Sequence, residues 1–126
     1  MIRRPLHIRF ADEVPSERKT TTLRDKAWPV GVPIMLYHWL GRPYHSKQLD
    51  CAAIVVVETQ VIQITRTVLG MGYWKNGTDE FIEGLWRTEG FRCQADMNDW
   101  FSPLVKCGQT VEKHLMRFRL WKGDEA

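Results

Sequence analysis

The sequence predicts an α+β fold, a small β-barrel with a helical insertion before its last strand. Three observations carry this expectation. Residues 34–39 and 50–68 are rich in β-branched and alternating apolar side chains and read as strands. The span 78–105 then switches to helical spacing, with Phe81, Ile82, Leu85 and Trp86 in one stripe and Met97, Trp100, Phe101 and Leu104 in a second. From Met116 the chain alternates again, Met116, Phe118 and Leu120 against Arg117, Arg119 and Trp121. Strands flanking helices, with most pairing non-local, form a small α+β barrel.

Leu6 to Phe10 alternates and reads as a first strand, and the polar stretch Ala11 to Arg18, with Pro15, as a turn or short helical piece. Lys19-Thr20-Thr21-Thr22-Leu23-Arg24 is dense in β-branched residues and should be extended. Trp28 to Pro33 has turn chemistry, and Ile34 to Trp39 is the strand behind it. Gly41 to Gln48 is a polar, basic loop. Asp50 to Val68 is either one long bent strand or two strands joined at Glu58-Thr59. Thr78 is placed to cap a helix whose first turn holds Asp79 and Glu80, favourable at the positive end of the helix dipole, and Gly90 ends it. A second helix lies between Arg92 and Val105, shortened by Pro103.

The chain has 126 residues, 44% hydrophobic and 26% charged, the balance of one folded soluble domain spanning 1–126. Burying roughly two-thirds of the unfolded surface is enough at this size to fold without staples. The net charge of +3 is compatible with a polyanionic partner without requiring one. Cys51, Cys93 and Cys107 are odd in number and form no C-x-x-C pair, which favours reduced thiols in a cytoplasmic protein. His7, His38, His45 and His114 share no ligand-type spacing, so no metal and no cofactor is expected. No apolar run follows the basic N-terminus, and the longest, Ala52 to Val57, is far too short to span a bilayer.

Three segments resemble the ASCH domain family. Lys19-Thr20-Thr21-Thr22-Leu23-Arg24 is similar to its K-T-x-T-[IL]-R run. Gly31 to Tyr37 is similar to a family strand that starts with Gly, and Glu89-Gly90-Phe91, followed by Met97 and Trp100-Phe101, to its acidic-Gly-Phe element and the helix after it. The resemblance implies a PUA-like barrel with a cleft between the first segment and the helical insertion, in a family of suspected RNA-binding or RNA-processing modules. One branch resembles an amidohydrolase that deacetylates acetylcytidine. Its catalytic lysine, threonine and acidic residue carry over to Lys19, Thr22 and Glu89. The chain departs from the family at Glu17, where Gly is usual, at Cys93, where Ser or Thr caps the helix, and in longer stretches at 41–48 and 70–77.

Regular alternation puts Lys19 and Thr21 on one side of a strand and Thr22 and Arg24 on the other. A shared site for Lys19 and Thr22 therefore demands a turn or bulge near Lys19 or Thr20. A desolvated Lys19 beside Arg24 would lose its proton more readily and act as a base, with Glu89 as general acid. Arg24 and Trp28 are placed to bind the substrate, Trp28 as a cleft wall. Tyr37, Arg42, Tyr44, His45 and Lys47 interleave rings and cations as a single-stranded RNA surface does. The reading is RNA or nucleoside binding in a basic cleft, without membrane or metal partners. The alternatives are hydrolysis of an acylated pyrimidine nucleoside and docking of an acidic protein. A plain solvated edge strand and soluble loop would show the same residues.

Overall fold

The computed structural model describes residues 1–123. Six strands form one mixed sheet: β1 (Ile2–Pro5), β2 (Thr21–Arg24), β3 (Pro33–Trp39), β4 (Gln48–Thr67), β5 (Gly70–Lys75) and β6 (Thr110–Leu120). The order is β1-β3-β4-β6-β2, with β5 also on β4; β1 runs parallel to β3 and every other pair is antiparallel. Two short helices, α1 (Leu85–Glu89) and α2 (Gln94–Phe101), precede β6 as expected. The α+β class is therefore observed. The sheet is not closed, because β1 and β2 end it on opposite sides and do not pair.

β4 is the spine. It is one strand of 20 residues, paired along most of its length with β6 on one side and successively with β3 and β5 on the other. A bulge at Val57, between the pairs Val56↔Phe118 and Glu58↔Arg117, supplies the bend that its length requires. Ile34, Leu36, Ile54, Val56, Ile62, Ile64, Met116 and Phe118 bury one face of the sheet in a cluster with Leu85, Met97 and Phe101. On β3 that leaves Met35, Tyr37 and Trp39 half-buried on the outer face.

Two local expectations are corrected, and one strand is new. The first strand lies at Ile2–Pro5, not Leu6–Phe10, and Ile8–Phe10 is a single 3₁₀ turn. His7 Nδ1 accepts the Arg9 N–H at 3.1 Å and His7 O accepts from Phe10 N at 2.9 Å, so Leu6 and Phe10 are buried one turn apart. The helix does not start at Thr78. The Thr78 hydroxyl accepts from Glu80 N and donates to Lys75 O, both at 3.0 Å, closing a turn, and Phe81 bridges to Trp74. Gly84, at φ 67°, breaks the chain in the left-handed region, and only Leu85–Glu89 is helical. β5 stands in the stretch from Gly70, to which the sequence pattern assigns no element. Gly72 fits there because a Cβ would lie 2.6 Å from Trp74 Nε1, which donates to Thr65 at 3.0 Å. Among the described residues no helix is long and apolar enough to cross a membrane.

Candidate functional site

The turn demanded before β2 is present. Glu17, near the end of the polar stretch 11–18, adopts a left-handed φ of 63° within a run of turns. Lys19 N then donates to Glu13 O at 2.8 Å and Thr20 N to Thr88 O at 2.7 Å, while Thr20 O accepts from Phe118 N at 2.9 Å. The signature segment is thus bound to β6 on one side and to the end of α1 on the other. Gly90 ends α1 at φ 87°, and a Cβ there would meet Lys19 Cβ at 3.0 Å. The glycine of the acidic-Gly-Phe element is needed twice, for the left-handed cap and for the close approach of Lys19.

A cavity of about 190 Å³ opens between these segments. Lys19, Thr22, Leu23 and Arg24 form one wall, Glu89 and Phe91 the facing one. His7 and Phe10 of the 3₁₀ turn, Trp100 of α2 and Lys113 of β6 also line it, with Leu6, Phe101 and Leu104. Two of the three sequence segments that carry the resemblance therefore share one cavity, and Gly31 to Tyr37 lies outside it.

Inside it the polar groups are closely bonded. Lys19 is 3% exposed; its Nζ donates to Glu89 O at 2.9 Å, lies 3.7 Å from Glu89 Oε1, and sits 4.6 Å from the Phe10 ring centroid. Burial holds the Lys19 amine below the usual lysine range; Glu89 opposes that shift and Arg24 adds to it. Glu89, 2% exposed, accepts from the Thr21 hydroxyl at 2.5 Å, and that hydroxyl is 3.0 Å from Thr88 Oγ1. Thr22 Oγ1 instead accepts from Arg24 Nε at 3.1 Å. Arg24 lies over the Trp28 ring, 4.7 Å from its centroid, and its pKa is lowered by burial with Glu89 opposing.

Lys19, Thr22, Arg24 and Glu89 are thus brought together, but the hydroxyl on the acid is that of Thr21, a residue absent from the expected site. The signal for it was present: alternation puts Thr21 on the face of Lys19, and both touch Glu89. Lys113, which pairs with Asp25, was not anticipated either, nor were His7, Phe91 and Trp100 as lining. Trp28 is buried behind Arg24 and does not wall the cavity. Tyr37, Arg42, Tyr44, His45 and Lys47 also lie outside it, on β3 and the turn that follows. There, Tyr37 and Trp39 meet edge-on at 5.9 Å, Arg3 lies 4.7 Å from the Tyr37 centroid, and Tyr44, 86% exposed, stands 5.2 Å from Trp39. This is a separate aromatic and basic surface. Among the described residues no three His, Cys, Asp or Glu side chains gather as a metal site.

No protein-family model, no curated protein and no solved structure matches the chain.

Proposed function

We propose that the chain is an ASCH-type domain of the PUA-like class that binds RNA or a nucleoside in the Lys19–Glu89 cavity. The observation that carries this reading is the convergence of Lys19, Thr22 and Arg24 from one segment and Glu89 from another on a single space. At about 190 Å³ that space is below the ~300–1,000 Å³ of drug-sized pockets and suits one flat ring. Phe91 and Trp100 supply apolar walls, while a carboxylate, an amine and the Thr22 hydroxyl supply the edge contacts by which a base pulled out of a stack is read. The exposed Tyr44 and the half-buried Tyr37 and Trp39 offer neighbouring bases a place to stack, with Arg42 and Lys47 for phosphates.

Titration of a single-stranded RNA by fluorescence anisotropy tests it. Affinity should fall linearly in a log–log plot against salt, with a slope of about −0.7 for each phosphate contacted. Thr22→Val and Arg24→Gln should each weaken binding while leaving the circular dichroism spectrum unchanged. Undiminished affinity in both folded variants would remove the reading.

A second reading, amide hydrolysis of an acylated cytidine, is favoured by one observation: the buried amine of Lys19, its proton loosened by burial, lies 3.7 Å from the carboxylate of Glu89. Lys19 takes a proton from water and passes it to the Glu89 carboxylate, the water oxygen attacks the acyl carbon, and the C–N bond breaks as Glu89 gives that proton to the leaving amine. Both side chains then end as they began, with one water consumed. Incubation with acetylcytidine should then release cytidine, and Glu89→Gln should slow release by about 10²–10⁴-fold. Absence of release from the wild type ends the hydrolase reading and leaves the binding reading standing.

A further inference from the structure

The lining of the cavity carries three cations, Lys19, Arg24 and Lys113, against one carboxylate, Glu89. Their partners are unequal. Lys19 is the residue paired with Glu89, and Lys113 reaches outward to Asp25, whose side chain is 81% exposed. Arg24 makes no ion pair among the described residues. Its Nε is spent on the Thr22 hydroxyl and one face lies on Trp28, but neither terminal nitrogen is bonded. No buried side-chain nitrogen or oxygen of the described residues lacks a partner, so those nitrogens are not sealed in protein, and Arg24 lines the cavity. A half-buried guanidinium, fixed in orientation by a ring and a hydroxyl, therefore has a free edge with no carboxylate of the described residues within 4 Å. That is the arrangement that takes a planar or tetrahedral oxyanion by two parallel N–H···O bonds.

We propose that the cavity recognises an anion as well as a ring, namely the phosphate of a nucleotide, held bidentate by Arg24 with Lys113 as the second cation. The lining supports the pair: Arg24 of β2 and Lys113 of β6, the neighbour of the His114 that stands opposite Arg24, both border the cavity. Asp25 holds Lys113 from the solvent side, and an exposed carboxylate is a weak competitor for it. The preferred ligand is thus a nucleotide, free or within a chain, rather than a neutral nucleoside. This deepens the binding reading above and rests on it for the base, though not for the anion.

Calorimetric titration with cytidine, cytidine 5′-monophosphate, a cytidine dinucleoside monophosphate and inorganic phosphate tests the proposal at low salt. One or both phosphate-bearing ligands should bind about tenfold or more tightly than cytidine, the gain expected of charge-assisted hydrogen bonds. The arm that gains tells a terminal phosphate from a chain phosphodiester. Arg24→Gln should erase the gain. Lys113→Gln, away from the Thr22 and Trp28 contacts, should reduce it without affecting the fold, and Arg24→Lys should restore part of it. Cytidine binding as tightly as both phosphate-bearing ligands overturns the anion site and leaves the base pocket intact. Inorganic phosphate binding as well as the nucleotides, in an Arg24-dependent way, keeps the anion site and overturns the base pocket. No binding in any arm overturns both.

Discussion

Lys19→Met is expected to lower the free energy of unfolding by about 3–5 kcal/mol, the cost of removing one member of a buried ion pair. The variant keeps the length and most of the volume of the side chain, so little of the loss is cavity formation. The loss is electrostatic. Glu89 is 2% exposed, and after the substitution its carboxylate keeps the Thr21 hydroxyl but no cation within 4 Å, while the Glu89 carbonyl loses the donor at 2.9 Å. Urea unfolding at neutral pH reads the effect. The exposed Lys26 gives the control, since Lys26→Met should stay within about 0.5 kcal/mol of the wild type. Adding Glu89→Gln to Lys19→Met should recover part of the loss, because the uncompensated charge is then gone; the two substitutions are neighbours and should be strongly non-additive. If Lys19→Met cost no more than Lys26→Met, the buried pair would not exist in solution, and the cavity's polar wall would be wrongly drawn.

The same pair shows which parts of the molecule were legible from the residues. β3, β4 and β6 declared themselves because one face of each is buried, and burial of one face writes a period of two into the sequence. β5 did not, because Gly70 and Gly72 interrupt the pattern and the packing of Trp74 that requires Gly72 exists only once β4 is alongside. Thr78-Asp79-Glu80 misled for a local reason: a threonine hydroxyl that caps a helix and one that closes a turn satisfy the same backbone N–H. What separates them is Gly84, whose left-handed conformation is visible only in the fold. At the site, the Lys19–Arg24 run and Glu89 were found by resemblance, and alternation supplied the grouping of Lys19 with Thr21. Lys113 was beyond reach, because its place depends on the register that sets Arg24 opposite His114. Tyr37 to Lys47 had the composition of a binding surface, but composition carries no address, and β3 takes these residues away from the cavity.

Stability should also rise with pH on the alkaline side, and Lys19 should be responsible for the slope. Burial, outweighing the attraction of Glu89, lowers the pKa of Lys19 below its ordinary value of 10.5. Below the lowered value both folded and unfolded chains hold the proton, and the folded state bears the full cost of a buried charge. Between that value and 10.5 the unfolded chain still holds the proton while the folded chain has released it, so the unfolded state binds more protons and stability climbs as pH rises. Above 10.5 both forms are neutral and the curve levels. Within the window the slope should approach about 1.4 kcal/mol per pH unit, the limit for one proton. Glu13, Asp25 and Asp96 work at the other end: their pKa values are lowered chiefly by hydrogen bonds, from the Arg18 side chain, the Lys113 side chain and the Arg92 N–H respectively, so their contributions are present at neutral pH and fade as acid protonates them. Urea midpoints measured across the alkaline range for the wild type and for Lys19→Met isolate the lysine, since every other titrating group is common to both. The difference between the two curves should carry the slope. A flat difference would mean that Lys19 keeps an ordinary affinity for its proton, and with it would go the base that hydrolysis requires. If acetylcytidine is cleaved, the rate should rise through that same lowered pKa, so a kinetic and a thermodynamic titration would have to report one and the same group.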